Sequence, residues 1–140
     1  MDEKDLEILA TLVEDSRTTL QKIAEKTKLS ISSVHKRVKR LERDVIEKYT
    51  LLLNPEKFNY ITAFLLISSS SDVSKELFRI PEVIEIYQTF GNYNFIAKVR
   101  GKGIEKIAEI SNKVSSLNGV EDVLYLIATR RIKEIPWKPG

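Results

Sequence analysis

Leu6, Leu9, Leu12 and Val13 recur at three- and four-residue intervals, with Ile8 on the flank. That spacing predicts an amphipathic helix packed on one side. Asp2 suits its N-cap, and Asp5 in the first turn suits the positive end of the helix dipole. Asp15-Ser16 predicts its end. A second helix is predicted after Thr19, with Leu20, Ile23 and Ala24 on its apolar side, and Thr27-Lys28-Leu29 must then turn the chain. Ser30 reads as the cap of a third helix, in which Ile31, Val34, Val38 and Leu41 keep the helical period and are expected to face the core. The polar side of that helix carries Ser32, Ser33, His35, Lys36, Arg37, Lys39, Arg40 and Arg43. Residues 45–53 are rich in β-formers and predict a trailing strand, interrupted by Asn54-Pro55.

Beyond residue 60 the pattern becomes mixed. Strands are predicted at 61–69, 83–90, 95–100 and 120–132, with helices at 73–80 and from residue 104 to Asn118-Gly119. Ser68 to Ser71 with Asp72 form a turn and helix cap, Gly91-Asn92-Tyr93-Asn94 a turn, and Gly101-Lys102-Gly103 a strand terminator. The order βαββαβ is the ferredoxin-like arrangement, and right-handed crossovers put both helices on one face of the sheet. Alternation leaves apolar residues on the other face too, and no further layer remains in the sequence. A second copy of the chain is the simplest cover, so a homodimer is expected. The chain is therefore read as α+β. Residues 1–53 form a helix-turn-helix (winged-helix-like) domain with a trailing strand, 54–60 a linker, 61–133 the ferredoxin-like domain and 134–140 a tail. Trp137, between Pro136 and Pro139, either packs on a neighbouring subunit or closes the tail onto its own domain.

Charge sharpens this picture through its distribution. Residues 1–25 hold three basic and seven acidic groups, net −4; residues 26–43 hold seven basic groups and one acid, net +6. Residues 54–140 are nearly balanced at net +2, and the whole chain carries +3. The reversal of sign falls on one predicted helix. Two short helices, a turn and a basic helix make a helix-turn-helix, whose second helix enters the major groove of double-stranded DNA with its N-terminal half near base edges. Ser32, Ser33, Lys36 and Arg37 are best placed for bases, and Lys39, Arg40 and Arg43 for phosphates, with Ser30 at the cap. His35 has two readings: a donor to phosphate or base, or a surface imidazole without a role. The reading as a regulator of promoters or operators has two rivals: an architectural protein that compacts DNA with little sequence choice, and a metabolic enzyme or stand-alone amino-acid-sensing module built on the ferredoxin-like domain.

Composition removes other classes. The chain has no cysteine and one histidine, so disulfides, thiolate chemistry and a Cys- or His-rich metal site are not expected. There are no paired carboxylates at a catalytic spacing and no phosphate-binding glycine loop, so neither an enzyme nor a bound cofactor is expected. No apolar run is long enough to span a bilayer, residues 63–67 among them, and the acidic N-terminus lacks an apolar signal region. A cytoplasmic protein without membrane contact is the expectation.

The sequence as a whole resembles the Lrp/AsnC family, the feast/famine regulators of bacteria and archaea. The stretches that carry the match in the first half are Asp2-Glu3-Lys4-Asp5-Leu6-Glu7-Ile8-Leu9, Ile23-Ala24-Glu25 with Leu29-Ser30, Val38-Lys39-Arg40-Leu41-Glu42, Val45-Ile46 and Leu53-Asn54-Pro55-Glu56-Lys57. In the second half they are Pro81-Glu82-Val83, Gly91-Asn92-Tyr93-Asn94, Lys98-Val99-Arg100 and Gly119-Val120-Glu121. The resemblance implies a dimer through the ferredoxin-like (RAM) domain, often assembled into tetramers or octamers. It also implies an amino-acid effector near the loop after the second strand of that domain and the start of its last strand. Here those positions are Gly91, Asn92, Tyr93, Asn94, Phe95, Asp122, Val123 and Tyr125. The family commonly has Gly-Asp-Tyr-Asp in that loop; Asn92 and Asn94 replace both carboxylates with amides, which hydrogen-bond but do not attract an ammonium by charge. Val123 and Tyr125 stand where some relatives use hydroxyl residues. Lys28 and Asp44 occupy positions where relatives often have glycine, so each is expected to be a candidate for a left-handed backbone.

Overall fold

The chain opens with a reciprocal cap. The Asp2 carboxylate accepts from Asp5 N at 2.9 Å, and the Asp5 carboxylate accepts from Asp2 N at 3.2 Å. Two amides that a helix start would leave bare are thereby satisfied. Helix α1 (Glu3–Glu14) follows. Thr19 caps α2 (Leu20–Thr27) by accepting from Lys22 N, and Ser30 caps α3 (Ile31–Asp44) by accepting from Ser33 N. The computed structural model describes all 140 residues and divides into two compact units, Met1–Leu52 with Lys133–Gly140, and Leu53–Ile132.

In the first unit Ile8, Leu9, Ile23, Ala24, Val34, Val38 and Leu41 form the core, with Leu12, Leu20, Leu29 and Ile46 packed against it. Ile8 is central rather than flanking. Ile31, expected to face the core, is 51% exposed; it is the first residue of α3 and lies before the turns that Val34 and Val38 bury. Lys28 is left-handed, with φ 60° and ψ 35°. Its amide and that of Leu29 both return to the Ala24 carbonyl, so the turn is fixed at a steric cost of about 1 kcal/mol. Asp44 differs from expectation: it lies within α3 and is not left-handed.

No strand trails α3. Residues 45–53 form no ladder, and Val45, Tyr49, Leu51, Leu52 and Leu53 are exposed. Their β-propensity is real, but a strand also needs a paired neighbour, and residues 45–53 pair with no other segment. The segment read as a linker, 54–60, contains a 3-10 turn, Pro55–Phe58, capped by Asn54, with Pro55 buried.

The second unit runs β1 (Tyr60–Ser69), α4 (Ser74–Phe78), β2 (Val83–Gln88), β3 (Phe95–Lys102), α5 (Ile104–Ser115) and β4 (Val120–Ile127). The strand order is β2-β3-β1-β4 and every neighbouring pair is antiparallel, as the ferredoxin-like arrangement requires. Ala63, Leu65 and Ile67 of β1 and Phe95, Ala97 and Val99 of β3 pack against Val73, Leu77 and Ile80 and against Ile107, Ile110 and Val114 of α5. The other sheet face carries Phe64 opposite Leu126, and Leu66 between Leu124 and Ile96.

Several boundaries differ from the sequence reading: α4 ends at Phe78, β2 at Gln88 and α5 at Ser115, each a few residues early. Gly101 does not terminate β3 but pairs with Ile61 inside it. A Cβ there would come within 3.0 Å of Lys106 Cγ and 3.4 Å of Ile107 Cδ1, so glycine serves the close approach of α5. β4 stops at Ile127 rather than continuing to Ile132; beyond it the Arg131 amide donates to Glu56 and its guanidinium to the Leu53 carbonyl at 3.2 Å. The tail closes onto the first unit, where Lys138 pairs with Glu14 and Gly140 lies against Leu6, while Trp137 stays exposed. No helix is long and apolar enough to cross a membrane.

Candidate nucleic-acid interface

At roughly 100° per residue, the buried positions Val34, Val38 and Leu41 fix which side of α3 is outermost. Ser32, Lys36, Lys39 and Arg43 fall on the opposite stripe, and all are exposed. His35 lies on one flank of the stripe and Arg40 and Ser33 on the other. Arg37 is much closer to the core side. Spacing alone had grouped Arg37 with Lys36; the packed orientation separates them.

The separation has a partner. Arg37 Nη1 donates to both Asp2 oxygens at 2.7 and 2.8 Å and to Asp5 Oδ1 at 3.0 Å. Arg40 Nη2 donates to both Asp5 oxygens at 2.7 Å. The Asp5 side chain is almost wholly buried, whereas that of Arg37 is 23% and that of Arg40 47% exposed. The Asp2 carboxyl is held down to about 2 by its bonds to Arg37 and then to the Asp5 amide. Asp5 thus serves three ends at once: it completes the cap of α1, anchors Arg37 and anchors Arg40. A buried carboxylate is tolerated because all of this donor capacity converges on it.

Two further contacts set the motif. Lys4 Nζ donates to the Thr27 carbonyl at 2.7 Å, covering the end of α2, and the buried Thr27 hydroxyl donates to the Ile23 carbonyl at 2.7 Å. At the other end of α3, Arg43 donates from Nε and Nη2 to the two oxygens of Asp44 at 2.8 and 3.1 Å. That pair lowers the Asp44 carboxyl and raises Arg43. The sequence reading missed Asp2, Asp5 and Asp44 as partners of the basic helix. For Asp2 and Asp5 the signal was present in the change from net −4 to net +6 along residues 1–43.

In the second unit the loop after β2 is held by its own side chains. Thr89 Oγ1 donates to the Tyr93 carbonyl at 2.7 Å, and Asn94 bonds the backbone of Ser69 from both ends of its amide. Tyr93 Oη donates to Asp122 Oδ2 at 3.3 Å, linking the loop to β4. Partial desolvation and then the Asp122 carboxylate raise the Tyr93 phenol. Gly91 and Asn92 are exposed and Val123 is half-buried. Tyr125, opposite Leu65 on the outermost strand, is exposed, and Phe95 is sealed in the core at 2% exposure. No cluster of His, Asp or Glu has metal-holding geometry.

Residues 1–42 match the model of the AsnC-type helix-turn-helix domain, and residues 62–137 match that of the Lrp/AsnC ligand binding domain. The chain belongs to the Lrp/AsnC family. It is 36% identical over 140 residues to the HTH-type transcriptional regulator FL11 of Pyrococcus furiosus, covering 96% of this chain and 93% of that one. Among solved structures, an AsnC family transcriptional regulator from Agrobacterium tumefaciens superposes with a TM-score of 0.88 at 28% identity, covering 99% of this chain and 97% of that one. A transcriptional regulator from Neisseria meningitidis in complex with L-Met shares the fold, with a TM-score of 0.87 at 24% identity over 99% and 96% of the two chains. Members of the Lrp/AsnC family are DNA-binding transcription regulators rather than enzymes, and this chain is one of them.

Proposed function

We propose that this Lrp/AsnC protein is a sequence-selective regulator that acts on promoter DNA as a homodimer or a higher assembly of dimers, with α3 as its recognition helix. The observation that carries this reading is the exposed stripe Ser32-Lys36-Lys39-Arg43 on a helix whose other side is sealed by Val34, Val38 and Leu41. Ser32, Ser33 and Lys36, in the N-terminal half, face base edges; Lys39, Arg40 and Arg43 neutralise phosphates. Ser30 offers the helix N-terminus to a phosphate, and His35 flanks the stripe. The apolar sheet face with Phe64, Leu66, Ile96, Leu124 and Leu126 supports pairing of two chains, which would present two α3 helices to half-sites one helical turn apart or a multiple of it.

The same reading includes an amino-acid effector at the loop after β2 and the head of β4. The match to the Lrp/AsnC ligand binding domain supports it, and the L-Met complex of the Neisseria meningitidis protein is a precedent in a protein of this fold. Gly91, Asn92, Tyr93, Asp122, Val123 and Tyr125 are the groups available to a ligand, while Asn94 and Phe95 shape the site from behind. With both loop carboxylates replaced by amides, a basic amino acid is the least suited effector.

Selection of bound duplexes from a random pool, repeated with and without mixed amino acids, tests the whole reading. A recurrent pseudo-palindromic motif is expected, and its occupancy should change with one amino acid. Equal retention of random DNA at matched salt would favour an architectural role and sink sequence selectivity.

A further inference from the structure

The grip of Asp2 and Asp5 on α3 divides its cations by task. We infer that Asp5 is a positioning residue for DNA recognition, with Arg37 as an internal strut between α1 and α3 rather than a phosphate ligand. This rests on the reading of α3 as the recognition helix. Arg37 lies on the flank nearest the core and is three-quarters buried, and one of its terminal nitrogens is shared by two carboxylates. Its bonds to Asp2 and Asp5 turn the guanidinium toward α1 and away from the outer stripe of α3. Arg40 is held by Asp5 alone, and nearly half of its side chain is open. It stands beside the outer stripe as a cation whose direction is fixed before DNA arrives, so less side-chain freedom is lost on binding.

A carboxylate beneath a basic helix has a second possible consequence, which makes the inference testable. If Asp5 only offset charge, its removal would release two guanidinium groups to phosphates, tightening binding to every DNA and steepening the salt dependence. If it positions, its removal lets α3 and Arg40 reorient, so the preferred sequence loses affinity while random DNA, held by charge at many geometries, does not.

The test uses the full-length protein, a duplex selected by the wild type from a random pool, and a random-sequence duplex of equal length. Asp5→Asn, checked by circular dichroism to be folded at the assay temperature, is expected to lose about tenfold or more on the selected duplex. It should change by less than threefold on random DNA, and Asp5→Glu should recover part of the loss. Because Asp5→Asn also alters the helix cap, Arg37→Ala gives an independent reading. Its slope of log affinity against log salt should equal the wild-type slope, whereas Lys36→Ala and Lys39→Ala should each lower it by about 1. Tighter binding of both duplexes by Asp5→Asn, or a slope for Arg37→Ala reduced by about 1, overturns the inference. Wild-type slopes and affinities for Lys36→Ala and Lys39→Ala overturn the underlying assignment of α3, and the inference with it.

Discussion

The side-chain amide of Asn94 clasps the backbone of Ser69: Asn94 Oδ1 accepts from Ser69 N at 2.8 Å and Asn94 Nδ2 donates to Ser69 O at 2.9 Å. With Asn94 N donating to the Ile67 carbonyl, the side chain extends the β1–β3 ladder by one rung beyond Phe95. Asn94→Asp keeps the acceptor but sets a carboxylate oxygen against the Ser69 carbonyl. It should destabilise the protein by about 1 kcal/mol, and Asn94→Ala by about 1–2 kcal/mol, because partly buried backbone groups lose their partners. Urea denaturation of both variants against the wild type measures this; unchanged midpoints would mean that water replaces the amide at no cost.

At the turn of the helix-turn-helix, Lys28 holds the left-handed conformation that glycine adopts freely. Lys28→Gly should raise stability slightly, by up to about 0.5 kcal/mol, the relief of about 1 kcal/mol of Cβ strain being partly offset by the extra freedom gained by the unfolded chain. Its melting temperature should rise with no change in the selected DNA motif. A fall in melting temperature would show that the long Lys28 side chain contributes packing beyond its backbone.

The contrast between Lys28 and Asp44 shows how much of this molecule could be read from sequence. Both stand where glycine is frequent in relatives, yet only Lys28 closes a turn between helices, while at Asp44 the helix continues. Helix caps at Asp2, Thr19 and Ser30 were legible because they depend on residues within three positions. The order βαββαβ was legible because period and punctuation are local too. Residues 45–53 were misread because a strand is a property of two segments, and composition describes one. Arg37 was placed on the outer face because spacing gives angles around a helix but not which angle a neighbour covers. Its partners are 32 and 35 residues away.

Asp44 gives a prediction of opposite sign to most substitutions in a DNA-binding surface. It engages Arg43 through two bonds at the exposed end of the basic stripe, competing there with phosphate. Asp44→Asn should tighten binding of selected and random duplexes alike by about two- to fivefold at low salt, with the gain shrinking as salt rises. Fluorescence anisotropy titrations over a salt series check it. A gain confined to the selected sequence would instead place Arg43 against a base.

The Asp2 carboxyl, held at about 2 against an ordinary value of 3.8, ties stability to pH. A carboxyl depressed in the folded state favours folding above its unfolded value and loses that contribution as pH falls through its folded value. Between pH 4 and pH 2 the melting temperature of the wild type should therefore fall more steeply than that of Asp2→Asn, and above pH 5 the wild type should be the more stable. Parallel curves for the two proteins across this window would show that Arg37 draws its hold on α1 from Asp5 alone.

The open sheet face makes the last prediction. Phe64 lies opposite Leu126 on it, and Leu66 lies between Leu124 and Ile96. Single exposed apolar residues are ordinary, but a contiguous patch across three strands is what a second copy would bury. Phe64→Glu puts a charge at its centre, and desolvating that charge should weaken self-association by roughly 30-fold or more. Since Phe64 points away from the packed helices, the variant should remain folded. Sedimentation should then find it monomeric at micromolar concentration, where the wild type is not. Binding to a duplex with two half-sites should fall sharply while binding to a single half-site is kept, because each α3 is intact and only the spacing between two copies is lost. A wild type that sediments as a monomer, or a Phe64→Glu variant that stays associated, would mean that another surface joins the copies.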